Sequence, residues 1–485
     1  MMLGEMNFHA LSIEIAIATL MAAVLLLDLV LKKGAPRCPV AWLTGAGLTA
    51  ILALAVSMYP PAGGATAFYA GLYIVDGYSV FFKILFLLGI LFTVLFSADY
   101  VERTLSHKGE YYLLLLSALL GMCVLASAND LMTAFVALEL MTISFYGLVA
   151  IRTDDPLSAE AGIKYLVFGS GATATLLYGM SLVYGMTGTM VFQEIAHGIG
   201  LIFSLGLVGV VLILAGFFFK LSIIPFHLWA PDVYEGAPAP VTALLAMCSK
   251  AAGIAILLRV LFVAFPALAP YWTELLCAFA GISMVGGNLM AFRQTNIKRM
   301  LAYSSIAQAG YMMTAMVATD AAGARAVLFY AAVYVFANIG AFVTVSYLEA
   351  RRGSADFTSV RGLARESLLP AGILMVALLT MAGIPPTAGF VGKIYIFSAA
   401  IDAGYFTLSC IGFVVSMMSV YYYLLVIKEM FCDVGEEEKM VKEHLALPLP
   451  AGFAGIVAVL FSLVIGIWAE PLSVVSNIAI HTFMR

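Results

Sequence analysis

The segment LSIIPFHLWAPDVYEGAPAP at 221–240 interrupts a long apolar stretch with four prolines, Pro225, Pro231, Pro238 and Pro240. Lys220 stands just before it, and Lys250 follows within the next apolar run. A proline removes an intrahelical hydrogen bond and clashes with the preceding turn. In a bilayer the freed backbone has to face protein or a water-filled cavity, because lipid offers no hydrogen bonds. The same device recurs in AGIPPTAGFVGK at 382–393, where Pro385–Pro386 is followed by Lys393. Two broken helices in corresponding places are a sign of transporter repeats.

The rest of the chain agrees with a membrane setting. Of its 485 residues 63% are hydrophobic and only 11% charged, against about 25% charged in a typical soluble domain. A span needs roughly 20 apolar residues. Apolar runs between polar breaks predict an all-α membrane protein of about fourteen transmembrane helices. They fall near 10–31, 40–59, 77–98, 110–127, 131–151, 162–185, 201–230, 239–263, 272–292, 301–318, 324–348, 367–400, 405–428 and 449–468. No run of ten-residue alternating strands suggests a β-barrel. The broken seventh and twelfth spans lie five apart. Two inverted five-helix repeats, spans 4–8 and 9–13, account for that spacing. The expected divisions are 1–109 for spans 1–3, 110–263 for the first repeat, 264–428 for the second, and 429–485 for an inside loop and span 14.

Charge sets the orientation. If each span crosses once, 16 Lys and Arg fall in connections on one side, among them Lys32, Lys33, Arg37, Arg152, Arg351, Arg352, Lys439 and Lys442. Only Arg325 and Arg485 fall on the other. The positive-inside rule then places both termini on the outer face. The first span is too long for a signal peptide and is followed by Lys32–Lys33. The acidic run Glu436–Glu438 reads as a solvated inside loop.

Several classes of function are disfavoured. The six cysteines form no C-x-x-C pair, so no metal or iron–sulfur site is expected. His227 is the only histidine within a predicted span, which leaves no bis-histidine haem. No nucleotide-binding glycine motif is present, and nothing points to nucleic acid.

Charges inside the spans carry the functional reading. An ionisable residue at mid-bilayer costs about 2.5–3.5 kcal/mol on insertion scales. Glu139 lies eight residues past Asp130, about 12 Å deep at the helical rise. Its face continues at Thr142 and Tyr146. Lys220, Lys250 and Lys393 sit deep in spans 7, 8 and 12. A buried lysine can exist neutral and accept a proton, and a nearby carboxylate favours its charged form. A row of lysines with a carboxylate is therefore a physically sensible proton relay. Arginine could not serve, since it does not deprotonate. Lys164 and His227 are secondary members. Lys164 could equally snorkel, and His227 could equally cap the broken helix. A static Glu139–Lys220 ion pair is the plainer alternative. Lys83 and Arg259, near the outer span ends, are expected to snorkel. Tyr303, Ser304 and Ser305 are expected to be interhelical glue.

With these residues placed, FKLSIIPFHLWAPDVYEGAPAPVTALLAMCSK (219–250) and QTNIKRMLAYSSIAQAGYM (294–312) resemble the antiporter-like membrane subunits of respiratory complex I. AGIPPTAGFVGKIYIF (382–397) and Tyr421–Tyr423 fit the same family, and the likeness covers essentially the whole chain. PFHLW with Lys250 is closer to the N subunit than to the L and M subunits. The resemblance implies two inverted repeats and a relay through Glu139, Lys220, Lys250 and Lys393. It also implies proton pumping driven by quinone reduction in other subunits. NADH, FMN, iron–sulfur clusters and quinone would belong to the assembled complex, with no cofactor in this chain. Adjacent M and K subunits in a bacterial inner (plasma) membrane are expected as partners. An Mrp-type Na⁺/H⁺ antiporter subunit, or the equivalent subunit of an F420H2- or ferredoxin-dependent complex, remains an alternative.

Overall fold

A computed structural model describes residues 8–32, 34–59, 64–198, 203–432 and 446–484. Lys33, Glu436–Glu438, Lys439, Lys442 and Arg485 lie outside the described residues.

The chain is predominantly helical. The first six long helices are α1 (Ser12–Val30), α2 (Cys38–Ser57), α3 (Gly77–Thr104), α4 (Lys108–Ser127), α5 (Leu131–Val149) and α6 (Pro156–Thr187). A three-residue hairpin, β1 (Thr66–Phe68) and β2 (Tyr73–Val75), precedes α3. A short α7 (Phe192–Gly198) follows α6. Polar residues at the ends of apolar runs start the helices. Asp76 and Ser79 form a reciprocal capping box on α3. Asp130 accepts the Met132 and Thr133 amides of α5, and Asp155 accepts the Leu157 amide behind Pro156.

The proline segments break the helices where the sequence predicts. α8 (Phe203–Leu221) ends at Ser222, whose backbone is left-handed at φ 58°. The chain resumes as α9 (Trp229–Gly236). The following span, Ala239–Ala264, is one continuous helix with two wider π turns. It comprises α10 (Ala239–Leu244), a π turn over Leu245–Ser249, α11 (Lys250–Arg259) and a second π turn over Val260–Ala264. Then come α12 (Ala269–Ala291), α13 (Ile297–Met316) and α14 (Ala321–Arg352). Single turns α15 (Phe357–Val360) and α16 (Leu363–Glu366) lead to α17 (Leu368–Ala382). After the Pro385–Pro386 break, α18 (Ala388–Asp402) and α19 (Phe406–Phe431) follow. The chain closes with helices Leu449–Ile467 and Glu470–Phe483.

Among the described residues, eleven helices are long and apolar enough to cross a bilayer. Three of the predicted spans fall short of that standard for identifiable reasons. The two broken ones are divided into shorter helices, and α13 carries Tyr303, Ser304, Ser305 and Gln308 on a buried helix. The span Ala239–Ala264 and α14 are buried along their apolar middles and form the centre, with α3 largely buried beside them. α1 and α6 lie at the rim and keep apolar faces exposed. Small residues let helices close on one another, as expected where lipid provides no hydrophobic drive. A Cβ on Gly121 of α4 would lie 2.7 Å from the Met141 amide of α5, and one on Gly287 of α12 2.8 Å from the Ala307 amide of α13.

Candidate functional site

Lys220, Lys250 and Lys393 are all buried, at 2%, 1% and 5% exposure. Each ammonium is held by neutral oxygens. Lys220 donates to the Thr142 hydroxyl of α5 and the Tyr165 hydroxyl of α6, both at 3.0 Å. Lys250 donates to the carbonyl and hydroxyl of Ser305, each at 2.8 Å. Lys393 donates to the Met381 and Ala382 carbonyls, at 3.0 and 2.9 Å, and to the Ser416 hydroxyl at 2.7 Å. Those two carbonyls end α17, where the helix break leaves them without an intrahelical donor. The break therefore builds the Lys393 site. A buried cation without a carboxylate is costly, so three such lysines are hard to explain as scaffolding.

Glu139 does not form an ion pair with Lys220. Its carboxylate accepts from the Thr173 hydroxyl of α6 at 2.8 Å. The two side chains share a small cavity of about 10 Å³ with Thr142 and Tyr146, room for roughly one water. The carboxylate faces Lys220 across this gap. The Tyr146 hydroxyl lines the same gap and has no hydrogen-bond partner. The i, i+3, i+7 face read from the sequence thus meets Lys220 as a surface.

Aromatic and polar side chains fill the space between the lysines. The Lys220 stem packs 3.7 Å from the Cβ position of Gly253, one turn beyond Lys250. Tyr165 stacks on Trp229 at 4.5 Å, Trp229 meets Tyr234 edge-on, and the Tyr234 hydroxyl approaches Ser305 without completing a bond. On the other side Ser304 bonds Tyr423, which packs on Tyr422. Tyr422 donates to Asn288 at 2.9 Å, and Asn288 donates to Tyr311 at 3.2 Å. The Tyr311 ring lies 5.0 Å beneath the Lys393 ammonium. A parallel route runs from Tyr330 through Gln308 to the Met381 carbonyl that Lys393 also uses. Ser304 and Ser305, expected to be glue between helices, are members of this line.

The secondary residues separate. Lys164 sits in a polar pocket of about 190 Å³ with Glu160, Asp232, Glu235 and Arg299. It pairs with Asp232 at 2.6 Å and Glu160 at 2.7 Å, and Arg299 bridges Asp232 to Glu235. His227 lies in the break, where its carbonyl accepts the Ala230 amide as α9 begins. Among the described residues no hydrogen bond joins its ring to Lys220 or Lys250.

Two cations expected to snorkel are buried and paired. Lys83 bonds Glu14 at 2.7 Å and the Tyr73 hydroxyl at 2.7 Å. Arg259 forks onto both oxygens of Asp76, at 2.9 and 3.0 Å. Sequence reading missed both because the partners are 69 and 183 residues away. A third buried cluster also escaped it. Glu349, at the end of α14, binds Lys298 at 2.9 Å, Arg152 at 3.1 Å and the Tyr100 hydroxyl at 2.9 Å. Lys298 and Arg152 in turn hold the Ala237 and Gly236 carbonyls between α9 and α10. Among the described residues no cluster of three or more His, Cys, Asp or Glu could hold a metal ion.

Comparison with known proteins places this geometry. The family described as NADH:quinone oxidoreductase/Mrp antiporter, TM matches residues 128–419. NADH-quinone oxidoreductase subunit N of Desulfitobacterium hafniense is 44% identical over 98% of both chains. Subunit N of Moorella thermoacetica is 45% identical over 99% of both. A chain of respiratory complex I from Thermus thermophilus with bound aureothin is 36% identical, with a TM-score of 0.80 over 95% of this chain and 98% of that one. A chain of the Mrp complex from Dietzia sp. DQ12-45-1b shares the fold alone, at 21% identity and a TM-score of 0.88 over 99% of this chain and 98% of that one. Near-complete coverage by subunit N relatives, together with the family match, shows that the chain belongs to the antiporter-like membrane subunits of NADH:quinone oxidoreductase, with the N subunits.

Proposed function

We propose that this chain moves protons across a bacterial inner membrane as the N-type subunit of a redox-driven quinone reductase. The observation that carries this reading is the set of three buried lysines, each held by neutral oxygens, with aromatic and polar side chains packed between them. In the proposed relay Glu139 biases Lys220 across the water-sized gap. Protons pass by way of Lys220 and Lys250 to Lys393. The Lys164 pocket serves uptake from the inner face, with His227 at the break as a secondary group. Donor redox chemistry and quinone reduction take place on NADH, FMN, iron–sulfur clusters and quinone in other subunits. The M and K subunits are its proposed neighbours.

The chain crosses fourteen times in this reading, counting the two broken spans and polar α13, with both termini outside. The arrangement of charge supports that orientation. Arg37, Arg103, Lys108, Arg152, Lys298 and Arg351 all pair at the end opposite the start of α1. Spans 4–8 and 9–13 form the inverted repeats, within the divisions 1–109, 110–263, 264–428 and 429–485. The glycine contacts support the repeat. Gly121 meets Ala137 and Met141, and Gly287 meets Tyr303 and Ala307, in both cases 16 and 20 residues further along. On the same spacing Ser305 takes the place of Glu139. Ser305 of the second repeat binds Lys250 of the first.

The test is Lys220→Ala and Glu139→Ala in the assembled complex. Each is expected to lower proton pumping and coupled electron transfer while assembly persists. Unchanged pumping refutes the relay. Na⁺/H⁺ exchange by the purified chain alone, in vesicles, would replace this reading with the antiporter one.

A further inference from the structure

We propose that Glu14, Lys83 and Tyr73 form a proton-release site at the outer end of the subunit. This rests on the relay reading above and extends it to groups the relay does not use. Two buried ion pairs lie at that end, and they differ in kind. Arg259 and Asp76 satisfy each other in a two-point fork, and Arg259 also donates to the Ala126 carbonyl at 3.1 Å. Arginine keeps its proton, so this pair is an anchor. The other pair can exchange protons. Lys83 is 1% exposed and Glu14 5%. Glu14 Oε1 accepts from both Tyr73, at 2.7 Å, and Lys83, while Oε2 is buried with no partner. That oxygen lies in the first turn of α1 and is free to carry a proton.

The site also lies toward the relay. Lys83 stands on α3, and further along the same helix a Cβ on Gly89 would lie 2.3 Å from the Cys248 sulfur. Cys248 lies in the π turn directly before Lys250. The proposed step balances simply. The Lys83 ammonium gives one proton to the Glu14 carboxylate through Oε1, the oxygen it contacts, breaking an N–H bond and forming an O–H bond. The neutral acid then loses that proton to the outer face and returns to carboxylate. The amine of Lys83 is refilled from the Lys250 end of the relay, a branch separate from the passage to Lys393. The chemistry parallels that of Glu139 and Lys220, which also set a carboxylate and a lysine beside tyrosines.

The experiment compares native membrane vesicles carrying the complex with Glu14→Gln, Lys83→Arg or the double change Glu14→Gln with Lys83→Met. Lys83→Arg decides most, because it keeps an ion pair and blocks exchange. Release through this site predicts at least a fivefold fall in proton pumping for Lys83→Arg at the normal amount of assembled complex. Glu14→Gln and the double variant should match it. Arg259→Lys should leave pumping per assembled complex unchanged. If Lys83→Arg or the double variant pumps at the normal rate, the pair is a structural clamp and the proposal fails. Failure of all three to assemble marks a structural role and overturns it equally. Lys220→Ala and Lys250→Ala run alongside: normal pumping there defeats the relay itself, whereas loss there with normal Lys83→Arg defeats only the release site.

Discussion

Replacing Glu349 by alanine should destabilise the subunit more than any change at an exposed charge. The carboxylate is 6% exposed and answers three groups, Lys298, Arg152 and Tyr100. Lys298 is itself 3% exposed and would keep only the Ala237 carbonyl. Removing one partner of a buried pair costs about 3–5 kcal/mol, because the remaining charge stays buried. That is roughly a 100- to 5,000-fold change in the folded-to-unfolded ratio. It is also a large part of a typical net stability of about 5–15 kcal/mol. The assay is thermal denaturation of the detergent-solubilised complex, with subunit retention followed on native gels. Adding Lys298→Met removes the orphaned charge. The double variant should therefore regain at least half of the loss, a coupling that a double-mutant cycle measures. A single variant within about 1 kcal/mol of the parent, or a double variant no better than the single, would refute this account of the cluster.

Three further outcomes follow from the same structure. Ser305→Ala takes one of the two bonds from the Lys250 ammonium and should slow pumping severalfold without loss of assembly, as read by proton uptake in vesicles. Gly389→Ala should cost about 1–3 kcal/mol by overpacking, since its Cβ would stand 1.7 Å from the Thr380 carbonyl at the second helix break. Gly171→Ala, where the Cβ meets nothing within 4 Å, should be neutral or stabilising by up to about 1 kcal/mol; melting temperatures of the two variants separate these cases.

The parts of this molecule that were legible in the sequence are those where one residue contradicts its surroundings. Lys220, Lys250 and Lys393 stand out because a charge within an apolar run has no local excuse. The two breaks stand out because proline cannot continue a helix. Glu139 was legible by depth and face, but its relation to Lys220 was not: whether two charges touch or face each other across a gap depends on helix packing. Ser305 could not be distinguished from any other serine in a membrane helix until Lys250 was seen beside it. Glu14 lies 69 residues from Lys83, and a lysine near a span end is compatible with reaching the interface. Only the folded chain shows that Lys83 turns inward. The hairpin at Thr66–Val75 consists of two three-residue strands, too short to show a period. The helix Glu470–Phe483 has 14 residues, fewer than the roughly 20 a span needs, and so leaves no span-length signal.

The wide turn over Leu245–Ser249 amounts to one surplus residue wound into a helix. Each residue of an α-helix advances the side chains by about 100°. Were that surplus taken up, everything downstream would swing by nearly a third of a revolution, with Lys250 the first residue to go. The ammonium would leave Ser305 while the helix stayed whole. A second such turn over Val260–Ala264 lies just past Arg259, so the ten residues between are set in phase by neither end of the span alone. The middle of this helix is in effect a spindle between two adjustable collars, and the lysine is its key.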